Sequence, residues 1–537
     1  MLEIDLKNLP DNVFELKEMV RTIAETVQEK ERNNDKTIKD LQTRNNLLIE
    51  ELHLLRLKHY SRISERFRLD EDAIQRSLFP DFFGKISVSD IENQEITVIE
   101  RYNRKKPGRK RLAEDLERVE IEHDIPEAEK ECVCGATKSR IGEEVSEKLQ
   151  ILPAKFWVER HIRPKYCCKS CEGIEDKGKT VSIAPMPVCM IPKSISTPSL
   201  LSHIFIGKFC DALPFYRQEK QFKRYGVQLS RATMVNWALK IAESLKPLLT
   251  MLRLYVLSGP LINIDETTVQ VINEPGKKAN SKSYCWVLRG GLPESSGFLY
   301  HYAPSRSTEV ARGLLKDYEG FVQTDGFSSY NFLNNHPDIE HFGCWAHVRR
   351  MFNEVLKVSG NRNKGLASEA MTMIRQLYKI EKQAKTKGLD EQSIFKLRQE
   401  VSKPIVENFG IWLNDNVSRI PEQSLLGKAL RYTLSQWSLL IKYLNNGIVK
   451  MDNNLVENAI RPFVIGRKNW LFSMTPEGAE ATALFYSMIE TAKANGLEPF
   501  KYLEYLFKKF PTVEKKPEAM YMLLPMNNTD IKLKKSE

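Results

Sequence analysis

The spacing of hydrophobic residues changes along the chain, and near the N-terminus it repeats every seven residues. Two positions of the heptad carry the repeat, one with Ile38, Asn45 and Leu52 and the other with Leu41, Leu48 and Leu55. A repeat of this period buries one seam of a helix against a second helix, so residues 1–60 are predicted to form a coiled coil. The polar Asn45 in the seam favours a parallel, in-register partner, and we expect a homodimer or higher oligomer. The alternative is one long helix packed on its own chain.

Helical spacing returns across residues 190–255. The segment PFYRQEKQFKRYG is followed by a turn and by LSRATMVNWALKIA, where the Ser230 hydroxyl is placed to cap a helix. Two helices joined by a short turn are typical of a helix-turn-helix, in which Arg231, Thr233 and Asn236 would face DNA. Scaffold helices without such a contact are the alternative.

Strand-like alternation begins at residue 261. The segments LINIDETTVQVI, SYCWVLRGG and GFLYHYAPS predict three successive antiparallel strands. Two further strands, EGFVQTD and IEHFGCW, then alternate with helical segments RSTEVARGLLKDY, FSSYNFLNN and AHVRRMFNEVLKV. The order β-β-β-α-β-α-β-α is that of a ribonuclease H-like fold, in which the first and fourth strands are neighbours.

The remaining segments complete a multidomain α/β protein. Residues 360–447 keep helical apolar spacing and carry no strand signal, which predicts an α-helical insertion. The ribonuclease H-like core would therefore be split into residues 256–359 and 448–512. A C-terminal element and tail are assigned to 513–537.

Composition limits where such a protein can work. The chain has 537 residues, of which 42% are hydrophobic and 28% charged, which is ordinary composition for a soluble protein of several domains. Its longest apolar stretches are broken by charge well short of a membrane span, and the acidic N-terminus is no signal peptide. We expect a cytoplasmic protein without a membrane partner.

Charge points to a polyanionic partner. The formal net charge is +11, and seven of the eleven residues from Arg101 to Arg111 are Arg or Lys, around a Pro-Gly bend. Within the segment 61–120 this run could lie in a DNA minor groove as a basic arm, or it could be a solvated linker. The basic residues of the candidate arm are Arg104, Lys105, Lys106, Arg109, Lys110 and Arg111.

Cysteine spacing indicates a second kind of site. Five of the nine cysteines fall between residues 132 and 171. Two close pairs suit a tetrahedral structural Zn²⁺ site in a small zinc-binding domain at 121–185. The first pair is Cys132 with Cys134, and the second is Cys168 with Cys171. The first pair is tighter than usual, so Cys167 or His161 could substitute, and reduced thiols without metal are the alternative.

Three acidic residues suggest the chemistry. Asp265 and Asp325 lie on the first and fourth predicted strands, and Glu457 lies on a helix that Asp452 or Asn453 could cap. Carboxylates brought together in this way need cations between them, which indicates a site for two Mg²⁺ or Mn²⁺ ions in phosphodiester chemistry.

Neighbouring residues compete with or support these acids. Glu266 follows Asp265 on the same strand and would point to the opposite face, while Asp452 competes with Glu457 as the third ligand. Cys344 and His347 form a Cys-x-x-His pair beside the site, which supplies too few ligands for a closed zinc site. The pair is a buried thiol with a hydrogen-bonded imidazole, or it supports DNA strand positioning.

Basic residues beyond Glu457 extend the candidate DNA surface. On the same predicted helix and just after it, three side chains lie within reach of phosphates near the acids: Arg461, Arg467 and Lys468.

Several segments resemble one known family. DETTVQV, TDGFSSYN, GCWAHVRRMF and DNNLVENAIRPFVIGRKNWLFS are similar to the signature blocks of the insertion sequence 66 (TnpC-type) transposases, a branch of the DDE transposases. The resemblance extends from the heptad region through the cysteine cluster to a C-terminal element around Tyr521–Asn527. It implies an acid triad of Asp265, Asp325 and Glu457, and favours Glu457 over Asp452.

The expected function is therefore that of a DNA transposase. It would bind the terminal inverted repeats of an insertion sequence, cleave the ends with Mg²⁺ and join them to target DNA. The resemblance also implies a bacterial, nucleoid-associated protein and companion proteins of the element. The alternatives are an inactive or regulatory zinc-containing DNA-binding protein, and a ribonuclease H-like nuclease that does not join strands.

Overall fold

The structure is a computed structural model that describes residues 12–60, 118–120, 155–166, 181–359 and 365–528. The chain folds as two compact units, one of residues 1–83 and 188–532 and the other of residues 84–187 and 533–537. Nearly all of the described helices and strands belong to the first unit.

The described N-terminal segment is a single helix, α1 (Val13–Tyr60). Four of its predicted seam residues, Ile38, Leu41, Leu48 and Leu52, are exposed in the single chain. Exposed apolar side chains at heptad spacing are typical of a coiled-coil helix that has not paired with a second helix. The helix is confirmed, and its pairing with a second chain stays a prediction.

The smaller unit contributes a two-stranded antiparallel sheet of β1 (Lys165–Tyr166) and β2 (Ser182–Ile183). The Arg163 guanidinium donates a hydrogen bond to the Ala184 carbonyl at 2.9 Å and ties the two segments together.

The four predicted zinc ligands lie outside the described residues: Cys132, Cys134, Cys168 and Cys171. Of the two possible substitutes, Cys167 lies outside as well, whereas His161 is described and stands 3.7 Å from the Glu159 carboxylate with 63% of its side chain exposed. The choice of ligands therefore stays a prediction.

The six basic residues of the predicted arm also lie outside the described residues: Arg104, Lys105, Lys106, Arg109, Lys110 and Arg111. Their contact with DNA stays a prediction from the sequence.

Three helices lead into the main sheet: α2 (Pro198–Phe209), α3 (Phe215–Arg224) and α4 (Arg231–Leu257). The backbone N–H of Thr233 donates to the Ser230 hydroxyl at 3.1 Å, so the predicted cap of α4 is confirmed. The second half of α4 packs on the sheet, with the fully buried Leu252 and Val256 against Gly290 and Gly297.

The main sheet has five strands in the order β5-β4-β3-β6-β7. These are β3 (Leu261–Gln270), β4 (Lys282–Leu292), β5 (Ser295–Ala303), β6 (Gly320–Gln323) and β7 (Ile339–Phe342). β3, β4 and β5 form an antiparallel meander, and β6 and β7 continue the sheet in parallel with β3. The predicted adjacency of the first and fourth of these strands is confirmed.

The helices between these strands also follow the predicted order. They are α5 (Thr308–Leu314), a 3-10 helix (Ser328–Asn335) and α6 (Trp345–Ser359).

A row of hydrogen-bonded polar side chains crosses the neighbouring strands β4, β3 and β6. Arg289 donates to the Asn263 side-chain oxygen at 3.0 Å, and the Asn263 amide donates to Gln323 at 2.9 Å. The Gln323 amide then donates to the carbonyls of Gly343 at 3.1 Å and Lys450 at 2.7 Å. Because buried polar groups need partners, this row fixes three strands and the returning chain in one register.

The described part of the predicted insertion consists of helices joined by short turns. It contains α7 (Leu366–Thr386), α8 (Glu391–Leu397), a π-helical turn (Arg398–Ser402), α9 (Lys403–Val417), α10 (Leu425–Ser435) and α11 (Trp437–Leu440). Trp345 and Phe352 of α6 share a hydrophobic core with Phe409 and Leu430 of the insertion. The insertion is therefore packed against the helix that follows β7.

Arg398 links helix α7 to the chain at the end of the insertion. Its guanidinium donates to both carboxylate oxygens of Glu381, at 2.8 and 2.7 Å, and to the carbonyls of Tyr443 at 3.0 Å and Val449 at 2.9 Å. The side chain is only 2% exposed, so these acceptors neutralise and satisfy a buried charge.

Four helices end the described chain: α12 (Asn454–Trp470), α13 (Pro476–Ala494), α14 (Pro499–Lys509) and α15 (Pro517–Met522). α13 runs along the edge strand β5. The backbone N–H groups of Phe298 and Tyr300 donate to the hydroxyls of Thr491 at 2.9 Å and Ser487 at 2.8 Å. Across the described residues, every helix is too short or too polar to span a bilayer.

Candidate active site

Asp265 lies on β3, where the strand passes the buried polar row. Its Oδ1 accepts a hydrogen bond from the backbone N–H of Glu266 at 2.8 Å. Burial raises the pKa of Asp265 well above its usual range, and the carboxylates of Glu266, Asp325 and Glu457 raise it further. Three other acids therefore lie close enough to disfavour a charge at this position.

Asp325 follows the end of β6. β3 and β6 are parallel, with Asn263 opposite Gln323, so Asp265 and Asp325 each lie two residues beyond a paired position. Since side chains of alternate strand residues share a face, this register places both aspartates on one face of the sheet, just beyond the paired part of β3 and β6. The backbone N–H of Phe327 donates to Asp325 Oδ1 at 3.0 Å and orients the carboxylate.

Glu457 reaches the same place from the first turn of α12. Its Oε2 accepts a hydrogen bond from Arg350 at 2.9 Å, and its Oε1 lies 3.8 Å from His347 Nδ1. The side chain is 14% exposed, which restricts it to these neighbours. Asp325 and Glu457 both lie near enough to Asp265 to raise its pKa, so the three predicted acids share one neighbourhood.

The start of α12 is fixed to β3 by Asn453. The residue stands at the N-cap, yet its side-chain amide donates to the Ile264 carbonyl at 3.0 Å instead of capping the helix. At the start of the helix it is the Asp452 carboxylate that accepts a hydrogen bond, from the backbone N–H of Asn454 at 3.3 Å. The helix bearing Glu457 is therefore bonded to the strand residue that precedes Asp265, a link not predicted from the sequence.

Glu266 also belongs to this neighbourhood. Its side chain is 1% exposed and forms an ion pair with Arg306 and a hydrogen bond with the Tyr330 hydroxyl. The Arg306 guanidinium lies 3.7 Å from Asp325 and stacks on the Phe327 ring. The roles of Arg306 and Tyr330 were missed, because only the folded structure places these distant residues beside β3.

Cys344 and His347 lie beside Glu457, at the start of α6. Cys344 is buried, and its sulfur accepts the backbone N–H of Asn453 at 3.2 Å. Burial raises the pKa of the Cys344 thiol to about 12. Burial lowers the pKa of His347, and Arg350 lowers it further.

The candidate DNA-binding residues within the described chain differ in their surroundings. Arg231 is exposed at the start of α4, and Arg461 is exposed one turn beyond Glu457. Arg467 instead donates to the Thr267 hydroxyl at 3.1 Å and the Thr268 hydroxyl at 2.9 Å, which joins α12 to β3. Lys468 lies partly buried in the same last turn of α12.

Comparison with known families assigns four parts of the chain. The description "Transposase IS66 family" matches residues 193–481, and "zinc-finger binding domain of transposase IS66" matches 129–172. "IS66 C-terminal element" matches 487–526, and "Transposase C of IS166 homeodomain" matches 47–121.

The zinc-finger match supports a zinc site in the region of the clustered cysteines. The matched residues 129–172 include every predicted ligand: Cys132, Cys134, Cys168 and Cys171. The match identifies the domain, and which four side chains bind the ion stays a prediction.

Similar proteins occur in Sinorhizobium fredii (strain NBRC 101917 / NGR234). The uncharacterized protein y4jD is 31% identical over 415 residues, which cover 75% of this chain and 78% of that protein. The uncharacterized protein y4qI is 32% identical over 411 residues, which cover 74% of this chain and 73% of that protein. The family match also spans the whole main sheet, the insertion and the helix that carries Glu457. Together these likenesses show that the chain belongs to the IS66 transposase family.

Proposed function

We propose that the protein cleaves the ends of an insertion sequence and joins them to target DNA through a triad of Asp265, Asp325 and Glu457. The observation that carries this proposal is the approach of three carboxylates from β3, the end of β6 and the start of α12 to one place. Burial raises the pKa of Asp265, and the nearby carboxylates of Asp325 and Glu457 raise it further.

The donor set suits hard divalent cations. Carboxylate oxygens are the ligands that Mg²⁺ and Mn²⁺ prefer, and clustered acids are costly to ionise without a cation. When bound, two such ions would activate the attacking hydroxyl group and neutralise charge at the phosphate. Asp265, Asp325 and Glu457 would hold them, while Arg350 keeps Glu457 oriented through its second oxygen.

The sheet supports a ribonuclease H-like core. An antiparallel meander followed by two parallel strands, with the first strand beside the fourth, is the arrangement expected of that fold. In the proposed division, residues 256–359 and 448–512 form this core and 360–447 form the insertion.

DNA binding is proposed to be shared among several elements. The zinc-binding domain and basic arm, together with Arg231 and Arg461, would neutralise phosphates of the terminal repeats and target DNA. The exposed seam of α1 would pair two chains so that both ends of the element are held together. Companion proteins of the element would act with this assembly.

The proposal is tested by cleavage and strand-transfer assays on labelled element ends. Asp265→Ala, Asp325→Ala and Glu457→Ala are each expected to abolish both reactions with Mg²⁺ while leaving binding to the repeats largely intact. Asp338→Ala, which changes an exposed aspartate before β7, is the matched control. Cleavage by Asp265→Ala would exclude the triad as assigned.

The same assay separates the other functions. Cleavage without joining indicates a nuclease on the same fold. Binding without either reaction indicates a regulatory or inactive DNA-binding protein.

A further inference from the structure

Three side chains of mixed chemistry meet where α6 and α12 begin. The sulfur of Cys344, an imidazole nitrogen of His347 and a carboxylate oxygen of Glu457 all lie within 4.8 Å of one another. Cys344 and His347 are held together by the start of α6, and Glu457 is brought from 110 residues away by the first turn of α12.

Two atoms in this cluster form no hydrogen bond within the described structure. His347 Nδ1 and Glu457 Oε1 are shielded from solvent and lie 3.8 Å apart, where they form an ion pair only when the imidazole is protonated. Buried polar atoms are normally satisfied, so two of them facing each other need an explanation. A cation between them would satisfy both.

The geometry leaves the right lone pairs available. Arg350 engages only Oε2 of Glu457, at 2.9 Å, so Oε1 remains directed towards His347. The backbone N–H of Asn453 donates to Cys344 Sγ at 3.2 Å. A hydrogen bond of this kind orients a metal-binding sulfur and favours its thiolate form.

The identity of the cation follows from the donors. One sulfur, one imidazole nitrogen and one carboxylate oxygen suit Zn²⁺ and similar thiophilic ions, whereas Mg²⁺ prefers oxygen ligands alone. Zn²⁺ bonds to these donors are about 2.0–2.3 Å long, so the three ligand atoms would draw closer together on binding.

We propose that Cys344, His347 and Glu457 form a binding site for Zn²⁺ or another thiophilic divalent ion, separate from the clustered cysteines of the zinc-finger region. Binding would release the thiol proton to solvent and leave a fourth coordination position open. Because Glu457 would serve this site, occupation by Zn²⁺ would compete with the proposed use of Glu457 beside Asp265 and Asp325.

Cobalt provides a spectroscopic test on the full-length protein with its zinc-finger metal already bound. Titration with Co²⁺ is expected to produce a thiolate-to-cobalt charge-transfer band that saturates at one additional ion per chain. Cys344→Ala should abolish this band, and His347→Ala should weaken cobalt binding by at least ~10-fold. Cys285→Ala removes a different buried free cysteine and should leave the band unchanged.

The readout separates the proposal from its alternatives. Identical cobalt spectra for the wild type and Cys344→Ala would overturn it and leave only a buried thiol beside an imidazole. If Cys344→Ala does not fold, His347→Ala still decides, because that side chain is 23% exposed and undiminished cobalt binding would exclude it as a ligand. No DNA is present, so failure of the proposed strand transfer leaves this result unaffected.

Discussion

At the scale of single residues, Asp265 carries a carboxylate where the fold disfavours charge. An acid whose pKa is raised on folding binds more protons in the folded state, so stability falls as pH rises from the ordinary value of 3.8 to the raised one. Above that window the metal-free protein bears the full cost of the ionised group.

Asp265→Asn removes this cost and also removes a proposed metal ligand. Without metal at neutral pH, we expect the variant to unfold at a higher temperature than the wild type, and the difference should shrink as the pH is lowered. Mg²⁺ should stabilise the wild type more than the variant. Thermal unfolding with and without Mg²⁺ measures both effects, and a variant no more stable than the wild type at neutral pH would contradict the assigned burial cost.

Asn453 offers a second test at this scale. Asn453→Ala breaks the hydrogen bond to the Ile264 carbonyl and leaves that buried acceptor unpaired, which costs about 1–3 kcal/mol. Because the bond ties α12 to the strand carrying Asp265, cleavage should fall more than the loss of stability explains. Denaturant unfolding and cleavage rates measure the two effects.

Asn458→Ala, on the exposed side of the same helix, is the matched control and should change neither quantity. Equal effects of the two variants would show that Asn453 has no positioning role.

The sequence predicted the order of the strands around Asp265 and Asp325, but not the residues that surround these acids. Asp265 lies on β3 and Asp325 directly follows β6, and both strands have an alternating hydrophobic pattern that is visible in the sequence. That the two aspartates lie close together therefore follows from the strand order. Arg306, Tyr330 and Asn453 act through contacts between residues far apart in the chain. No local pattern records such contacts, and the preference for Glu457 over Asp452 needed a family resemblance for the same reason.

At the scale of elements, the insertion depends on one buried charge. Arg398 joins α7 to the end of the insertion through Glu381 and two carbonyls. Arg398→Met leaves Glu381 without its partner, and breaking a buried pair in this way costs about 3–5 kcal/mol. Chemical denaturation should show this loss.

The matched control is Arg431→Met. Arg431 pairs with Glu422, whose side chain is 76% exposed, so the change should cost less than about 1 kcal/mol. Comparable losses for the two variants would mean that Arg398 is not the residue that closes the insertion.

Element type and order were predictable because periodicity is a local property. The five strands of the main sheet and the helical insertion follow from alternating and helical spacing between residues 261 and 447. Periodicity does not show which element packs against each apolar face. The shared core of α6 and the insertion is formed by residues such as Trp345 and Phe409, which are distant in sequence.

At the scale of the whole molecule, α1 is the element proposed to join two chains. Replacing Leu41 and Leu48 by Asp places charges in the predicted seam, where burial would be unfavourable. We expect the double variant to be monomeric under conditions in which the wild type is a dimer or larger, as measured by light scattering.

Thr22→Glu is the control, because Thr22 is exposed and occupies a heptad position on the opposite side of the helix from the seam. A wild type that is itself monomeric, or a double variant that keeps the oligomeric state, would show that chains associate by another route or not at all.

The helix along β5 has a consequence for how copies of this protein can associate. An open strand at the edge of a sheet is a template onto which another chain can add its own strand, and it is a common origin of aggregation. Here the Ser487 and Thr491 hydroxyls already occupy the outward backbone N–H groups of Tyr300 and Phe298. Growth of the sheet by strand addition is therefore blocked at that edge, so two copies of the chain would have to associate through another surface.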